Sequence, residues 1–251
     1  NNDAGGTAGK DSTTGNTLFG YGAGGTIDAN TINNTFIGHG SGDGSKSDAQ
    51  GNTGLGTYSL NSLTAGDSNV AVGYLALEDL TSGVANVAVG QQAGGDLTTT
   101  GATHNVIVGT LALYRATTGA GYNVAIGSYA MGGNFTTANV DSCVAIGYEV
   151  LTGTLKTDAT GTVAVGQRAA KAITSGAGNT AIGFKALTAE NDGDHNTAVG
   201  YEALTTQNAS DGAGQNTAVG FRAGKAVTTG TYNMFIGNLA GESVLTGVRN
   251  T

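Results

Sequence analysis

Asn196-Thr197-Ala198-Val199-Gly200-Tyr201-Glu202-Ala203-Leu204 decides how this chain is read, because it recurs with light editing from end to end. Asn179-Thr180-Ala181-Ile182-Gly183-Phe184-Lys185-Ala186-Leu187 is a near copy, and Asn216-Thr217-Ala218-Val219-Gly220-Phe221-Arg222-Ala223-Gly224 is another. Aligned on the glycine that closes the strand-like half of each unit, the anchors are Gly5, Gly20, Gly38, Gly56, Gly73, Gly90, Gly109, Gly127, Gly147, Gly166, Gly183, Gly200, Gly220 and Gly237. They define fourteen units, 15 to 20 residues apart. The first, Asn1 to Gly5, is degenerate, and Asn250-Thr251 reads as the opening of another. Residues 1–251 thus form a single repeat region. Solenoids need atypical end repeats to stay soluble, so the missing caps imply an excerpt of a longer fibrous protein.

Within a unit, a β-branched or other large apolar residue precedes the anchor, as at Ile182, Val199 and Val219. Threonine or valine sits two residues earlier, on the same strand face by the two-residue period. The residue between is usually alanine, as at Ala198. One face is therefore bulky and the other small, and the expectation is that Val199 is the core knob and Ala198 a face for close approach of other chains. The remaining half-unit, Ala203-Leu204-Thr205 and its equivalents, reads as a second short strand. Turn signals follow, at Thr81-Ser82-Gly83, Thr117-Thr118-Gly119, Thr174-Ser175-Gly176 and Thr228-Thr229-Gly230. Two strands and two turns in ~18 residues make one coil of an all-β solenoid of about 14 coils. Asparagine heads the strand in twelve units, the exceptions being Cys143 and Thr162. In register, Asn179, Asn196 and Asn216 can hydrogen-bond from coil to coil as a ladder. Gly183, Gly200 and Gly220 supply positive φ or room for a neighbouring backbone. Each coil offers few side chains against ~18 ordered residues, so further burial should come from other copies. The reading is a homo-oligomer.

Composition narrows the function classes. Of 251 residues 45 are glycine, none is proline or tryptophan, and 11% are charged. Net charge is −8 without a basic cluster, which disfavours nucleic acid as a partner. No apolar run approaches the ~20 residues of a membrane span. Cys143 is the only cysteine, so no intrachain disulfide forms, and His39, His104 and His195 lie too far apart for a zinc site.

Signals for chemistry are weak. Gly20-Tyr21-Gly22-Ala23-Gly24-Gly25 satisfies G-x-G-x-x-G, but no helix pattern follows, and repeat glycines falling together explain it. The loops Asp43-Gly44-Ser45-Lys46-Ser47-Asp48 and Asn191-Asp192-Gly193-Asp194-His195 carry oxygen ligands for calcium, although solvated turns account for them. No cofactor, metal or catalytic residue is assigned. A glycan-cleaving spike would need carboxylates paired on neighbouring coils, and the acids scatter through variable loops, so the chain does not read as an enzyme. The residue after the anchor is aromatic at Tyr21, Tyr74, Tyr148, Phe184, Tyr201 and Phe221. Exposed rings there, with Tyr74, Tyr148 and Tyr201 foremost, could stack on ligands. Rings turned inward would be corner packing, which the free exchange of phenylalanine for tyrosine favours.

Ser142-Cys143-Val144-Ala145-Ile146-Gly147 and Asn123-Val124-Ala125-Ile126-Gly127 resemble the head repeat of trimeric autotransporter adhesins. The form Gly200-Tyr201-Glu202-Ala203-Leu204 with a Thr-Thr-Gly turn also resembles repeats of bacteriophage tail-fibre proteins. The units here are longer than the adhesin repeat, and Leu18, Phe36, Ile107 and Phe235 replace its alanine. The resemblance implies a left-handed parallel β-roll, three chains packed together, and attachment to a surface. The expected role is a structural and attachment fibre, the shaft or head of a tail fibre or similar extracellular filament. The alternative is the head domain of a bacterial trimeric autotransporter adhesin. Either reading places the segment on a virion or bacterial surface, with itself as first partner and a cell-surface glycan or protein as receptor.

Overall fold

The structure is a computed structural model. It describes the backbone at 9–10 and all atoms at 14–98, 102–116, 120–135, 140–156, 159–209 and 213–251. The degenerate unit Asn1 to Gly5 and the turn Thr117-Thr118-Gly119 lie outside the described residues. The chain forms two compact units, Asn1–Tyr122 and Asn123–Thr251.

Apart from the two-residue strand Gly9–Lys10, each unit is a β-solenoid of parallel three-residue strands, and no helix occurs among the described residues. In the first, β1 (Gly9–Lys10) pairs antiparallel with β2 (Thr17–Phe19). The parallel ladder then runs through β3 (Thr35–Ile37), β4 (Thr53–Leu55), β5 (Val70–Val72), β6 (Val87–Val89) and β7 (Val106–Val108). The second holds β8 (Val124–Ile126), β9 (Val144–Ile146), β10 (Val163–Val165), β11 (Thr180–Ile182), β12 (Thr197–Val199), β13 (Thr217–Val219) and β14 (Met234–Ile236), paired in that order. Register follows the repeat: Ala181 pairs with Ala198, and Ala198 with Ala218.

The expected second strand is a turn. Past the anchor glycine every other residue has positive φ, as at Glu202 (53°) and Leu204 (47°). Glu202 N donates back to Phe184 O at 2.9 Å, Ala203 N closes onto Gly200 O at 3.3 Å, and Leu204 N donates forward to Ala223 O at 3.0 Å. Backbone groups of this buried arc are thereby satisfied in both axial directions. A left-handed leucine costs ~1–2 kcal/mol. Leu204 is fully buried, and burying such a side chain contributes ~1.5–3 kcal/mol, which offsets the strain.

The strand is turned opposite to the expectation. Ala198 is fully buried inside the coil, whereas Val199 is only half-buried and Ile182 and Val219 are 40% and 37% exposed. A three-residue strand in so tight a coil directs only its middle side chain inward, towards Ala203 and Leu204 across the coil. Alanine sits there because leucine fills the interior from the far side. At Leu18 and Phe36 the middle residue is large and a glycine lies across from it. Phe36 faces Gly42, whose added Cβ would lie 2.6 Å from the ring, and Leu18 faces Gly24. In these coils the glycine makes room for the large side chain.

Asparagine side chains bind the coils together. Asn69 Nδ2 donates to Asn52 Oδ1 at 3.0 Å and to Gly83 O at 2.7 Å. Its Oδ1 accepts from both N and Nδ2 of Asn86, each at 3.0 Å. Asn179, Asn196 and Asn216 continue the pattern, with Asn196 N to Asn179 Oδ1 at 2.8 Å and Asn216 N to Asn196 Oδ1 at 3.0 Å. The two substitutions interrupt it. Cys143 Sγ donates to Ala159 O at 3.2 Å, and burial pushes the thiol up to about 11. Thr162 Oγ1 is, among the described residues, the one buried side-chain polar atom with no partner. Thr162→Asn is therefore expected to stabilise the chain by about 1–2 kcal/mol, by supplying an acceptor for the Asn179 N–H and removing the orphaned hydroxyl. Urea denaturation with an unchanged midpoint would refute this.

Candidate functional site

The interior carries structure, so binding chemistry falls to the outer surface, where the repeat sets side chains in columns. The corner column after the anchor glycine points outward, contrary to the inward packing favoured by sequence: Tyr21, Tyr74, Tyr148, Tyr201 and Phe221 are 68, 50, 43, 43 and 43% exposed. Coil spacing suits aromatic stacking. Phe184, Tyr201 and Phe221 form a continuous stack with centroids 5.1 and 5.4 Å apart and planes 19° and 18° off parallel. Tyr21 stacks on His39 at 5.3 Å, and His39 meets Tyr58 edge-on at 5.2 Å. Tyr201, a candidate ligand platform, thus has both ring faces covered by protein. Tyr74 has Thr57 and Gln91 at the equivalent corners and no ring partner among the described residues.

Tyr148 differs from both. Its corner neighbours are Ser128 and Gln167, and five residues past the anchor the preceding coil carries Gly132, where later coils carry Thr152 and Lys171. These two small residues leave a groove of about 320 Å³ lined by Tyr129, Gly132, Tyr148, Glu149, Thr152 and Lys171. Glu149 Oε2 accepts from Lys171 Nζ at 2.6 Å and Arg168 Nε at 2.9 Å. The Lys171 ammonium, the Tyr148 hydroxyl and Arg168 hold the Glu149 carboxyl at about 2, so it stays ionised. In return the carboxylate raises the Tyr148 phenol above its ordinary value, chiefly through their hydrogen bond. The arrangement is an aromatic ring pinned beside a cluster of one negative and two positive charges. The same ions recur at Glu202, with Lys225 Nζ at 2.7 Å and Arg222 Nε at 3.1 Å. Sequence reading singled out the tyrosine but missed the triad; its signal was Tyr-Glu in one coil followed by Arg-x-x-Lys in the next, at 148–149 with 168–171 and at 201–202 with 222–225.

The other candidates resolve differently. No helix follows Gly20 to Gly25; Gly20 is required by its φ of 131° and by the Gly38 carbonyl, which an added Cβ would meet. In the Asp43–Asp48 loop a protein cation already occupies the carbonyls. Lys46 Nζ donates to Gly42 O and, at 2.8 Å, to Gly44 O, and lies 5.2 Å over the Phe36 ring. In the other loop Asp192 accepts from Thr174 (2.7 Å) and Ser175 (2.5 Å), and Asp194 from the Ala177 N–H (2.8 Å). Among the described residues no three His, Cys, Asp or Glu side chains gather as a metal site. The acids are not wholly scattered: Asp79 and Asp96 occupy the same position in adjacent coils, and Asp96 is raised by burial first and by Asp79 second. No helix among the described residues is long and apolar enough to cross a membrane. Comparison with family models, curated proteins and solved structures returns no match.

Lys46 provides a pH test. Burial pulls its ammonium down from 10.5 to about 8, the nearby Asp43 opposing. Folding therefore favours the neutral amine, and the unfolded chain binds the extra proton between about pH 8 and 10.5. Stability from this group rises with pH across that window and is at its lowest below it. The melting-temperature difference between wild type and Lys46→Met should move in favour of wild type from pH 8 to 10.5. A difference independent of pH would contradict it.

Proposed function

We propose that this chain is a segment of a structural and attachment fibre, the shaft or head of a tail fibre or similar extracellular filament, assembled from copies of itself. The observation that supports this reading is the outward face of the strand ladder. Val70, Val72, Val87, Val89, Val106 and Val108 in one unit, and Ile182 and Val219 in the other, point away from the coil interior, and Val87, Val89, Val106, Ile182 and Val219 are 36–40% exposed. Each coil presents one or two such residues in register, with threonine at the first outward position of β2, β3, β4 and β11 to β13, so that apolar side chains line up along the ladder rather than lie scattered singly. A second copy offering the same regular face is its natural cover, and in-register strands let contacts repeat along the ladder. Three copies is the number implied by the resemblance to adhesin heads. Attachment follows from multiplicity: columns of equivalent corner positions offer many weak contacts, and their avidity needs no deep pocket.

Sedimentation equilibrium on the chain tests this. The expected mass is a multiple of 24.6 kDa, three for the trimer, and Val87→Lys with Val89→Lys should shift it to monomer. A folded wild-type monomer at micromolar concentration would rule the reading out.

A further inference from the structure

We propose that the groove beside Tyr148 binds an anionic saccharide, a uronate unit lying on the open face of Tyr148 with its carboxylate at Lys171 and Arg168. This rests on the attachment reading and gives it a site. The second unit supplies its own comparison. Tyr201 and Tyr148 share one motif, each followed by a glutamate that takes an arginine Nε and a lysine Nζ on Oε2. At Tyr201 the neighbouring coils add Phe184 and Phe221, and both ring faces are consumed. At Tyr148 they add Ser128 and Gln167, with Gly132 removing a further side chain, and space opens beside the ring. A volume of about 320 Å³ lies at the small end of ligand pockets, ~300–1,000 Å³, which suits one or two sugar rings.

Chemistry selects the ligand class. The apolar face of a pyranose packs on an aromatic ring, and Tyr148 is held in place by Glu149. Glu149 is ionised and accepts from sugar hydroxyls. Arg168 donates to it only through Nε, and among the described residues no acceptor meets its Nη groups. Lys171 keeps two further N–H donors, and the two side chains are 38–40% exposed. One carboxylate against two cations leaves the cluster at +1 on a chain of net charge −8, and an anion balances it. A planar guanidinium fork matches a carboxylate.

Titration calorimetry of the full chain with trigalacturonate, and with maltotriose as the neutral comparison, tests the assignment. Trigalacturonate is expected to bind, more weakly as salt rises, and maltotriose at least about tenfold less well. Tyr148→Ala should weaken binding by about tenfold or more with an unchanged melting profile, and Tyr201→Ala should leave it intact. Ser128→Phe, which extends the aromatic stack into the groove, should abolish binding without lowering the melting temperature. Absence of heat with trigalacturonate, equal binding of maltotriose, or full binding by Tyr148→Ala would each overturn it. Sedimentation of the same sample separates the two readings: an assembled chain that binds no uronate overturns the groove assignment alone, and a monomer that binds it overturns the fibre alone.

Discussion

Gly200→Ala is expected to destabilise the chain by about 4–6 kcal/mol. Two costs combine there. Gly200 has φ 136°, a region that side chains avoid. A Cβ built on it would also lie 2.7 Å from the Gly220 carbonyl carbon, with the carbonyl oxygen nearer still. The obstacle is backbone of the next coil, which moves only if the strand ladder opens. Gly237 separates the two costs. Its φ is 127°, yet an added Cβ would meet only Ala240 Cβ, at 4.0 Å. Gly237→Ala should therefore cost only the conformational part, ~1–3 kcal/mol. Urea denaturation of the two variants checks this. Equal losses would show that coil contact at the anchor adds nothing.

Asn69→Ala should cost about 3–5 kcal/mol. The substitution removes no large volume, so the loss comes from hydrogen bonding. It leaves the buried Asn86 N–H and one of the two Asn86 Nδ2 hydrogens without an acceptor and Gly83 O without its side-chain donor, while Asn52 Oδ1 keeps only the N–H of residue 69. Each abandoned buried donor costs ~1–3 kcal/mol. Asn69→Asp keeps the acceptor, loses both donor bonds and buries a charge, so its deficit should shrink as pH falls from 7 towards the ordinary carboxylate range, where the buried acid takes up its proton before the unfolded one does. Denaturation midpoints at pH 7 and pH 4 measure both. A loss under ~1 kcal/mol for Asn69→Ala would mean that the ladder is dispensable.

Much of this architecture was legible before any coordinates. Period, strand position, register and the asparagine ladder follow from Asn196 to Gly200 and its copies, because stacking identical units leaves one way to align them. The turn conformation was not legible. Glu202 and Leu204 have positive φ without being glycine or asparagine, and their cost is offset by hydrogen bonds to adjacent coils that no single repeat displays. The binding candidate was half visible. Tyr148 and Tyr201 look alike in sequence, and what separates them is whether the coils on either side carry Phe184 and Phe221 or Ser128 and Gln167. Residues 17 to 20 positions away determine whether a ring face is open.

By itself the sequence determined that the chain is a β-solenoid, where each coil begins, and which residues stack on which. Only the tertiary structure decided inside from outside. Ala198 and Val199 are both apolar, so alternation along the strand carries no amphipathic signal, and size alone suggested valine as the core. The decision belongs to the opposite wall of the coil. Leu204, held inward by its left-handed backbone, fills a narrow interior and leaves room across from it for a methyl group. Val199 is turned out because Leu204 is turned in.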